Sequence, residues 1–399
     1  MKNADKKALA GLGSGHFMVD WYASVLVPLY PVITAKLGIS LSFISAIIAF
    51  GHMFSSMLQP VFGYVSDKLR HRTFMFWGLI MSSVFIPLSV VSNSPELLTL
   101  FLILGMCGNA FYHPQVTCLV NTFCYNNPKL TKYMGVFLGL GTIGYAIGPV
   151  CSSNAAAYFG EHSLLFFSIP GILTALLIYF VVPKIPLETV CPAHEKFLPV
   201  MKEILASKAI LGLVLIAVVK SGVSISFGTY MPFILKENGF SLSQTGFIVT
   251  LFFTISGIAT MLSSKIEEKI GGANVIRLSF FSVLPLTLLF LFFMDKAPVV
   301  SALLFILTGF FILLSVSVTV VSAQKIMNRH KGVISGVMQG FSWGLGALFL
   351  APMGLIGEHF GVDKVLVIMS LIAFLTGIFG ITKELRDIFE KEAKSLGKN

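Results

Sequence analysis

Charge is scarce in this chain. Only 12% of its 399 residues are Asp, Glu, Lys or Arg, about half of the roughly 25% typical of soluble domains. Together with an apolar content of 55% and a mean hydropathy of +0.87, that shortage excludes a soluble globular domain. Cysteine is sparse as well. The five present are Cys107, Cys118, Cys124, Cys151 and Cys191. The number is odd and no pair has metal-site spacing, which excludes a disulfide framework and predicts free thiols. The chain is read as free of HExxH, GxSxG, CxxC and GxxxxGK motifs, so hydrolysis and ATP-driven pumping are expected to have no residues to run on. No enzyme activity, cofactor or metal is expected. Acidic residues are few too, 18 against 28 basic ones, giving a net charge of +10. The placement of those charges, described next, assigns them to membrane topology rather than to a nucleic-acid partner.

What the chain has in abundance is long apolar runs. A bilayer crossing takes about 20 apolar residues, and twelve such spans can be read: 8–35, 43–65, 73–93, 96–122, 132–157, 163–183, 208–235, 243–264, 274–294, 298–324, 332–357 and 363–382. The start is basic and then apolar, like a signal peptide. Its apolar stretch runs on to Ala35 with Asp20 inside it, so it reads as a retained first helix. The expectation is an all-α integral membrane protein with the lipid bilayer as its main partner. Phe (37) suits lipid-facing and helix-packing surfaces, and Gly (36) recurs in spans 5 and 11, where small residues allow close helix contact. If both termini are cytoplasmic, the inner segments carry 23 of the Lys and Arg residues, the outer loops carry 4, and Lys220 is left inside a span. That asymmetry predicts both ends inside.

The two halves repeat. Pro31–Ser42 matches Pro232–Ser243 at six of twelve positions, an offset of 232 − 31 = 201. The same offset pairs Asp67-Lys68 with Glu268-Lys269 and Gly135-Val136 with Gly336-Val337. Both halves start on the same side, so the repeat is parallel, six spans plus six. The expected organisation is a six-helix bundle over 1–183, a cytoplasmic linker over 184–207, and a second bundle with a basic tail over 208–399.

Between spans 2 and 3 lies Gln59–Arg72, QPVFGYVSDKLRHR, read here as a basic cytoplasmic loop. Its Gly63, Asp67, Lys68, Arg70 and Arg72 resemble the signature loop of the major facilitator superfamily of transporters. Finer features point to one branch. Gly15-His16-Phe17 followed by Asp20, then Gln59-Pro60-Val61 with Gly63-Tyr64, and Tyr112-His113-Pro114 in span 4 resemble the fosmidomycin-resistance type of efflux transporter. An acid usually follows that proline, and Gln115 stands in its place. Gly144 and Gly148-Pro149 in span 5 are similar to the glycine-proline motif of antiporters. The resemblance implies two parallel six-helix halves related by a pseudo-twofold axis and alternating access driven by protons. It also implies outward transport of a small organic molecule across the inner (plasma) membrane, with the chain working as a monomer. Uptake of a small anionic metabolite by the same fold stays open.

Ionisable groups inside a span cost a few kcal/mol and are usually placed where water or a partner meets them. Asp20 lies 13 residues past Lys7, about 20 Å of helix rise, and Lys220 lies 12 past Lys208 at nearly the same depth. Both are expected to face a central cavity. Asp20 would take the proton. Lys220 would be its partner or the holder of an anionic substrate; a purely structural ion pair is the alternative. His16 shares a helix face with Asp20, and imidazole is the side chain whose charge changes near neutral pH, so His16 and His113 join Asp20 as proton-coupling candidates. Candidate cavity residues are Trp21, Tyr22, His52, Asn109, His113, Gln115, Tyr145, Gln339 and Trp343, with helix packing the alternative for the aromatics and amides. Gly63, Asp67, Lys68 and Arg72 form the expected conformational latch, since the superfamily's counterpart of Asp67 sits at an inner helix–helix contact. Asp67→Ala is expected to abolish transport while leaving substrate binding intact; full turnover of that variant in membrane vesicles would remove the latch.

Overall fold

A computed structural model describes residues 3–69, 73–123, 130–183, 197–327, 331–379 and 386–387. Among the described residues there is helix and no strand. That follows from the apolar runs: in a bilayer, backbone N–H and C=O groups have no water to bond, and a helix satisfies them within its own segment. Eleven segments are long and apolar enough to cross a membrane, and a further helix, α17 (Val362–Phe379), occupies the twelfth expected span.

The first span is built from α1 (Asn3–Val25) and α2 (Tyr30–Leu37), joined by a 3-10 turn over Val27–Leu29. Pro28 sits in that turn, where the missing N–H interrupts the α-helical ladder. There follow α3 (Leu41–Leu69), α4 (Thr73–Val91), α5 (Pro95–Phe123), α6 (Leu130–Phe159) and, after a 3-10 stretch at Glu161–Phe167, α7 (Ser168–Val181). Within the expected linker lies a short helix, α8 (Phe197–Ala206). The second half contains α9 (Lys208–Glu237), α10 (Leu242–Ile270), α11 (Gly272–Phe293) and α12 (Pro298–Leu314), the last running on as α13 (Val316–Ile326). The eleventh span is the most interrupted: α14 (Lys331–Gly336), a π-helical turn over Val337–Phe341, α15 (Ser342–Ala347) and α16 (Leu350–Phe360).

One expectation is corrected. Gln59–Leu69 is not a loop; α3 continues through it to Leu69. Charges mark where a chain leaves the bilayer, not where its helix stops, and nothing between Pro60 and Leu69 breaks a helix strongly. Arg70 and Arg72 lie outside the described residues.

The chain divides into two compact units. The first comprises Met1–Ser40, Phe50–His194 and Gly239–Thr250; the second comprises Leu41–Ala49, Glu195–Asn238 and Leu251–Asn399. In the first, α1 packs on α6 along Gly141, Gly144 and Gly148. A Cβ on Gly144 would lie 2.2 Å from the Phe17 carbonyl oxygen, and one on Gly148 2.1 Å from Ser24 Oγ. In the second, α9 meets α15 the same way: a Cβ on Gly346 would lie 2.7 Å from the Val218 carbonyl oxygen. Phe17 and Val218 are separated by 218 − 17 = 201, the repeat offset.

The duplication recurs in the turns. Gly38 (φ 62°) and Gly239 (φ 78°) are 201 apart, and so are Gly160 (φ 79°) and Gly361 (φ 96°). All four hold left-handed backbone that only glycine adopts without strain. It recurs again where the second helix of each half begins. In the first unit Gly246 sits on Ser153; in the second Ser45 sits on Gly354. The partners are the same repeat positions, since 246 − 45 and 354 − 153 are both 201, with the residue types exchanged. Thr250 Oγ1 accepts the Val150 N–H at 3.0 Å in the first unit, and Tyr230 donates its hydroxyl to the Leu350 carbonyl at 2.9 Å in the second.

Gln115 ties α5 to the start of α4. It is only 7% exposed, and its Oε1 accepts the Met75 N–H at 2.8 Å. Met75 is in the first turn of α4, where N–H groups lack intrahelical partners and the helix dipole favours negative charge. A carboxylate would serve there at least as well as an amide. Gln115→Glu is expected to keep or raise the melting temperature in detergent. Gln115→Leu, which orphans a buried donor, should cost about 1–3 kcal/mol; equal melting of all three proteins would refute the capping role.

Candidate functional site

The first unit brings three of the predicted ionisable groups together. His16 and Asp20 project from one face of α1, four residues apart, with His16 Nε2 3.3 Å from Asp20 Oδ2. From α5, His113 Nε2 reaches the other carboxylate oxygen, Asp20 Oδ1, at 3.2 Å. From α6, the Phe137 carbonyl lies 2.8 Å from His16 Nδ1, and the Phe137 ring stacks on the imidazole with centroids 4.2 Å apart. The His16 and His113 rings lie edge to face, nearly perpendicular, with centroids 5.1 Å apart. All three donor groups lie within 4.8 Å of one another. The His16 side chain is 6% exposed, Asp20 20% and His113 24%, so the cluster is covered on its His16 side and open on its His113 side.

Glycines make this approach possible. A Cβ on Gly141 of α6 would lie 2.4 Å from Asp20 Oδ2 and 2.5 Å from His16 Cε1. A Cβ on Gly15 would lie 2.0 Å from the Tyr112 hydroxyl, which donates to the Leu12 carbonyl at 2.9 Å. The Gly15-His16-Phe17 stretch and the Tyr112-His113-Pro114 stretch are therefore one interlocked contact: glycine admits the phenol, and the next residue on each helix meets the carboxylate or its partner. Tyr112 and Tyr145 are the other titratable groups in electrostatic reach of Asp20.

The remaining candidates fall elsewhere. Trp21 and Tyr22 are buried among α1, α7 and the Glu161–Phe167 turn; Trp21 packs on Phe167 at 4.7 Å and Tyr22 donates to the Phe167 carbonyl. Packing is thus their visible role. Asn109 is half-buried one turn before His113 on α5, and His52 is half-buried on α3. Gln339 is exposed on the π-helical turn, with half-buried Trp343 just beyond it. Gln115 faces the start of α4 rather than the cluster. Of the latch, Gly63, Asp67 and Lys68 lie on α3 with side chains outside the described set, and Arg72 lies outside the described residues.

Lys220 is enclosed within the second unit. It is 6% exposed and lines a small cavity with Ser279, Phe280 and Val283 of α11, Ile312 of α12 and Ala373 of α17. Every one of these lining residues belongs to the second unit. Depth along a helix can be counted from sequence, but the direction a side chain takes around the helix cannot be fixed from one charge. Among the described residues Lys220 has no ion-pair partner within its own unit, and in the first unit Asp20 is held by the two histidines.

Three participants were not anticipated: the Phe137 carbonyl, Gly141 and Tyr112. Gly141 carried a signal, the spacing Gly141, Gly144, Gly148 in one span, and Tyr112 stood within a quoted motif. Phe137 carried none, because its backbone acts and its side chain does not identify it. The expectation that no GxSxG motif is present is corrected, although the one found is idle. Gly340-Phe341-Ser342-Trp343-Gly344 has the spelling of a hydrolase nucleophile motif, GxSxG. Ser342 is fully buried in helix and donates to the Val337 carbonyl at 2.8 Å, so it offers no exposed nucleophile.

Comparison with known proteins gives the same architecture. Residues 12–352 match the Major Facilitator Superfamily. The chain is 25% identical to the fosmidomycin resistance protein of Escherichia coli (strain K12) over 394 residues, covering 92% of this chain and 91% of that one. It is 23% identical over 276 residues to the multidrug resistance protein MdtG of Escherichia coli (strain 55989 / EAEC), covering 66% of each. Among solved structures, the nucleoside transporter NupG superposes with a TM-score of 0.75 at 14% identity, over 95% of this chain and 98% of that one. A match of this extent, on an all-helical chain with eleven to twelve membrane-crossing helices, means that the protein belongs to the major facilitator superfamily of membrane transporters.

Proposed function

We propose that the protein is a proton-coupled secondary transporter that exports a small organic molecule, a drug or metabolite, across the inner membrane by alternating access. The observation that carries this reading is Asp20, a carboxylate within a membrane span, held by two imidazoles and partly open on the His113 side. Such a group is expensive in a bilayer unless it has partners, and groups kept at that expense are commonly proton or ion sites. Because Asp20 touches groups on both neighbouring helices, a change in its protonation would alter the packing of α1 against α5 and α6 at once. The names of the two resistance relatives support export, and the distribution of Lys and Arg supports two cytoplasmic termini. Substrate contacts in this reading come from groups bordering the open side of the cluster, with Asn109 and Tyr145 foremost.

A second reading is proton-coupled uptake of a small anionic metabolite. It is favoured by Lys220, a buried ammonium group without a counter-ion among the described residues, since a buried charge asks for an opposite one.

Proteoliposomes with an imposed pH gradient test both. Export predicts that acidifying the side into which substrate is released drives flux, and that Asp20→Asn, inserted normally, loses all proton-driven flux while retaining downhill exchange of substrate. Undiminished proton-driven transport by Asp20→Asn would refute the proton role of this site. Flux in the opposite sense, lost in Lys220→Gln, would select the second reading.

A further inference from the structure

We infer that the coupled proton sits at the contact between His16 Nε2 and Asp20 Oδ2, and that the Phe137 carbonyl puts it there. This rests on the proton-coupled reading and assigns unequal roles to the two histidines.

The argument is a proton count. A carbonyl oxygen can only accept, so the nitrogen 2.8 Å from Phe137 O, His16 Nδ1, carries a hydrogen. A neutral imidazole has one N–H, which leaves His16 Nε2 as a bare lone pair. That lone pair faces Asp20 Oδ2 at 3.3 Å. Two acceptors at such a distance repel. The contact becomes a hydrogen bond only with one further proton, as imidazolium against carboxylate or imidazole against carboxylic acid. His113 makes no such demand. Its Nε2 faces Asp20 Oδ1 at 3.2 Å, and neutral His113 protonated on Nε2 satisfies that contact. The surplus proton of the cluster therefore belongs to His16 and Asp20, and His113 is a standing donor.

The surroundings keep the count fixed. The His16 ring cannot readily turn over: it lies on the Phe137 ring at 16° to parallel, and Gly141 backs onto its Cε1. Other titratable groups facing Asp20 are Tyr112 from α5 and Tyr145 from α6. Tyr112 is committed as a donor to Leu12 O. Neither α4 nor α7, which also pack on α1, presents a titratable group to Asp20 among the described residues. Loss of the surplus proton sets the lone pair against the carboxylate, and relief requires α1 to move relative to the Phe137 turn of α6, or Asp20 to swing toward its open side. Phe137 is thus a positioning residue, acting through its backbone on the tautomer of His16.

The test uses full-length protein labelled with 15N-histidine in lipid bilayers, observed by solid-state NMR across pH, with His16→Gln and His113→Gln spectra assigning two of the eight histidines. The expected result is that His16 Nδ1 stays protonated throughout, while His16 Nε2 changes from a bare lone pair at high pH to protonated or hydrogen-bonded at low pH. His113 keeps its hydrogen on Nε2 across that change. His16→Gln loses the transition and His113→Gln retains it. A bare Nδ1 on His16, or a transition that belongs to His113, would overturn the assignment while leaving Asp20 as the proton site. A stoichiometric divalent metal in the purified protein, bound through these lone pairs, would overturn it as well. Failure of the broader reading looks different: neither histidine changes state, and Asp20→Asn still transports against a proton gradient.

Discussion

A carboxylate inside a membrane-spanning helix is the constraint on which the first unit depends. Placing an aspartate at such a depth costs about 2.5–3.5 kcal/mol on insertion scales, and the structure offsets that cost by bringing two imidazoles to one side chain. They come from different helices, so α1, α5 and α6 must approach more closely than ordinary side chains permit. The glycines supply that room. Gly141 and Gly144 let α6 touch the backbone and carboxylate of α1, and Gly15 lets Tyr112 reach the backbone of α1. With no hydrophobic effect to press helices together inside lipid, close packing and interhelical hydrogen bonds take over that role. The chemistry of the cluster and the packing of the bundle are the same set of contacts.

The duplication shows what part of this is architecture. The left-handed glycines, the carbonyls of Phe17 and Val218 that glycines approach, and the Ser45–Gly354 and Gly246–Ser153 contacts all keep the 201-residue offset, although the approaching glycines, Gly144 and Gly346, are 202 apart. These are backbone requirements, and both units meet them. The ionisable groups do not follow the offset. Asp20 corresponds to Ser221, and the charge of the second half stands one residue earlier, at Lys220, facing α11, α12 and α17. One frame thus carries a hydrogen-bonded acid in the first unit and an enclosed base in the second.

Much of this could be read from the residues alone. Twelve spans follow from apolar length, the repeat from matched segments, and the His16–Asp20 pair from a spacing of four on a helix. His113 was reachable because its motif is distinctive. What escaped is what only the third dimension supplies. Phe137 contributes a carbonyl, which every residue has. Gln115 was expected at a cavity and instead caps α4, because the partner N–H belongs to a helix forty residues away. Trp21 and Tyr22 share the helix of Asp20 but not its face, and pack on Phe167. The stretch from Gln59 looked like a loop because charge ends a membrane span, while α3 ends only at Leu69. Lys220 was read from its depth along a helix, and a single charge defines no helical face; the residues it meets on α11, α12 and α17 come only from the structure.

Charge balance gives the cluster a reason to respond to access. With the surplus proton, His16, Asp20 and neutral His113 sum to zero, and a neutral, fully hydrogen-bonded group tolerates enclosure. Without it, the same three groups carry one net negative charge, with an unsatisfied lone pair against the carboxylate. That state is costly in a medium of low dielectric and is relieved by water or by a cation. Protonation then favours the arrangement in which α1 is closed on α6, and deprotonation favours one in which the site is wet. A carrier needs such a two-state element, one whose preferred packing depends on whether the ion is bound, because a ligand with equal affinity for both states would shift nothing. The His16 contact provides the difference in affinity at a definite place, since it is a hydrogen bond in one state and a repulsion in the other.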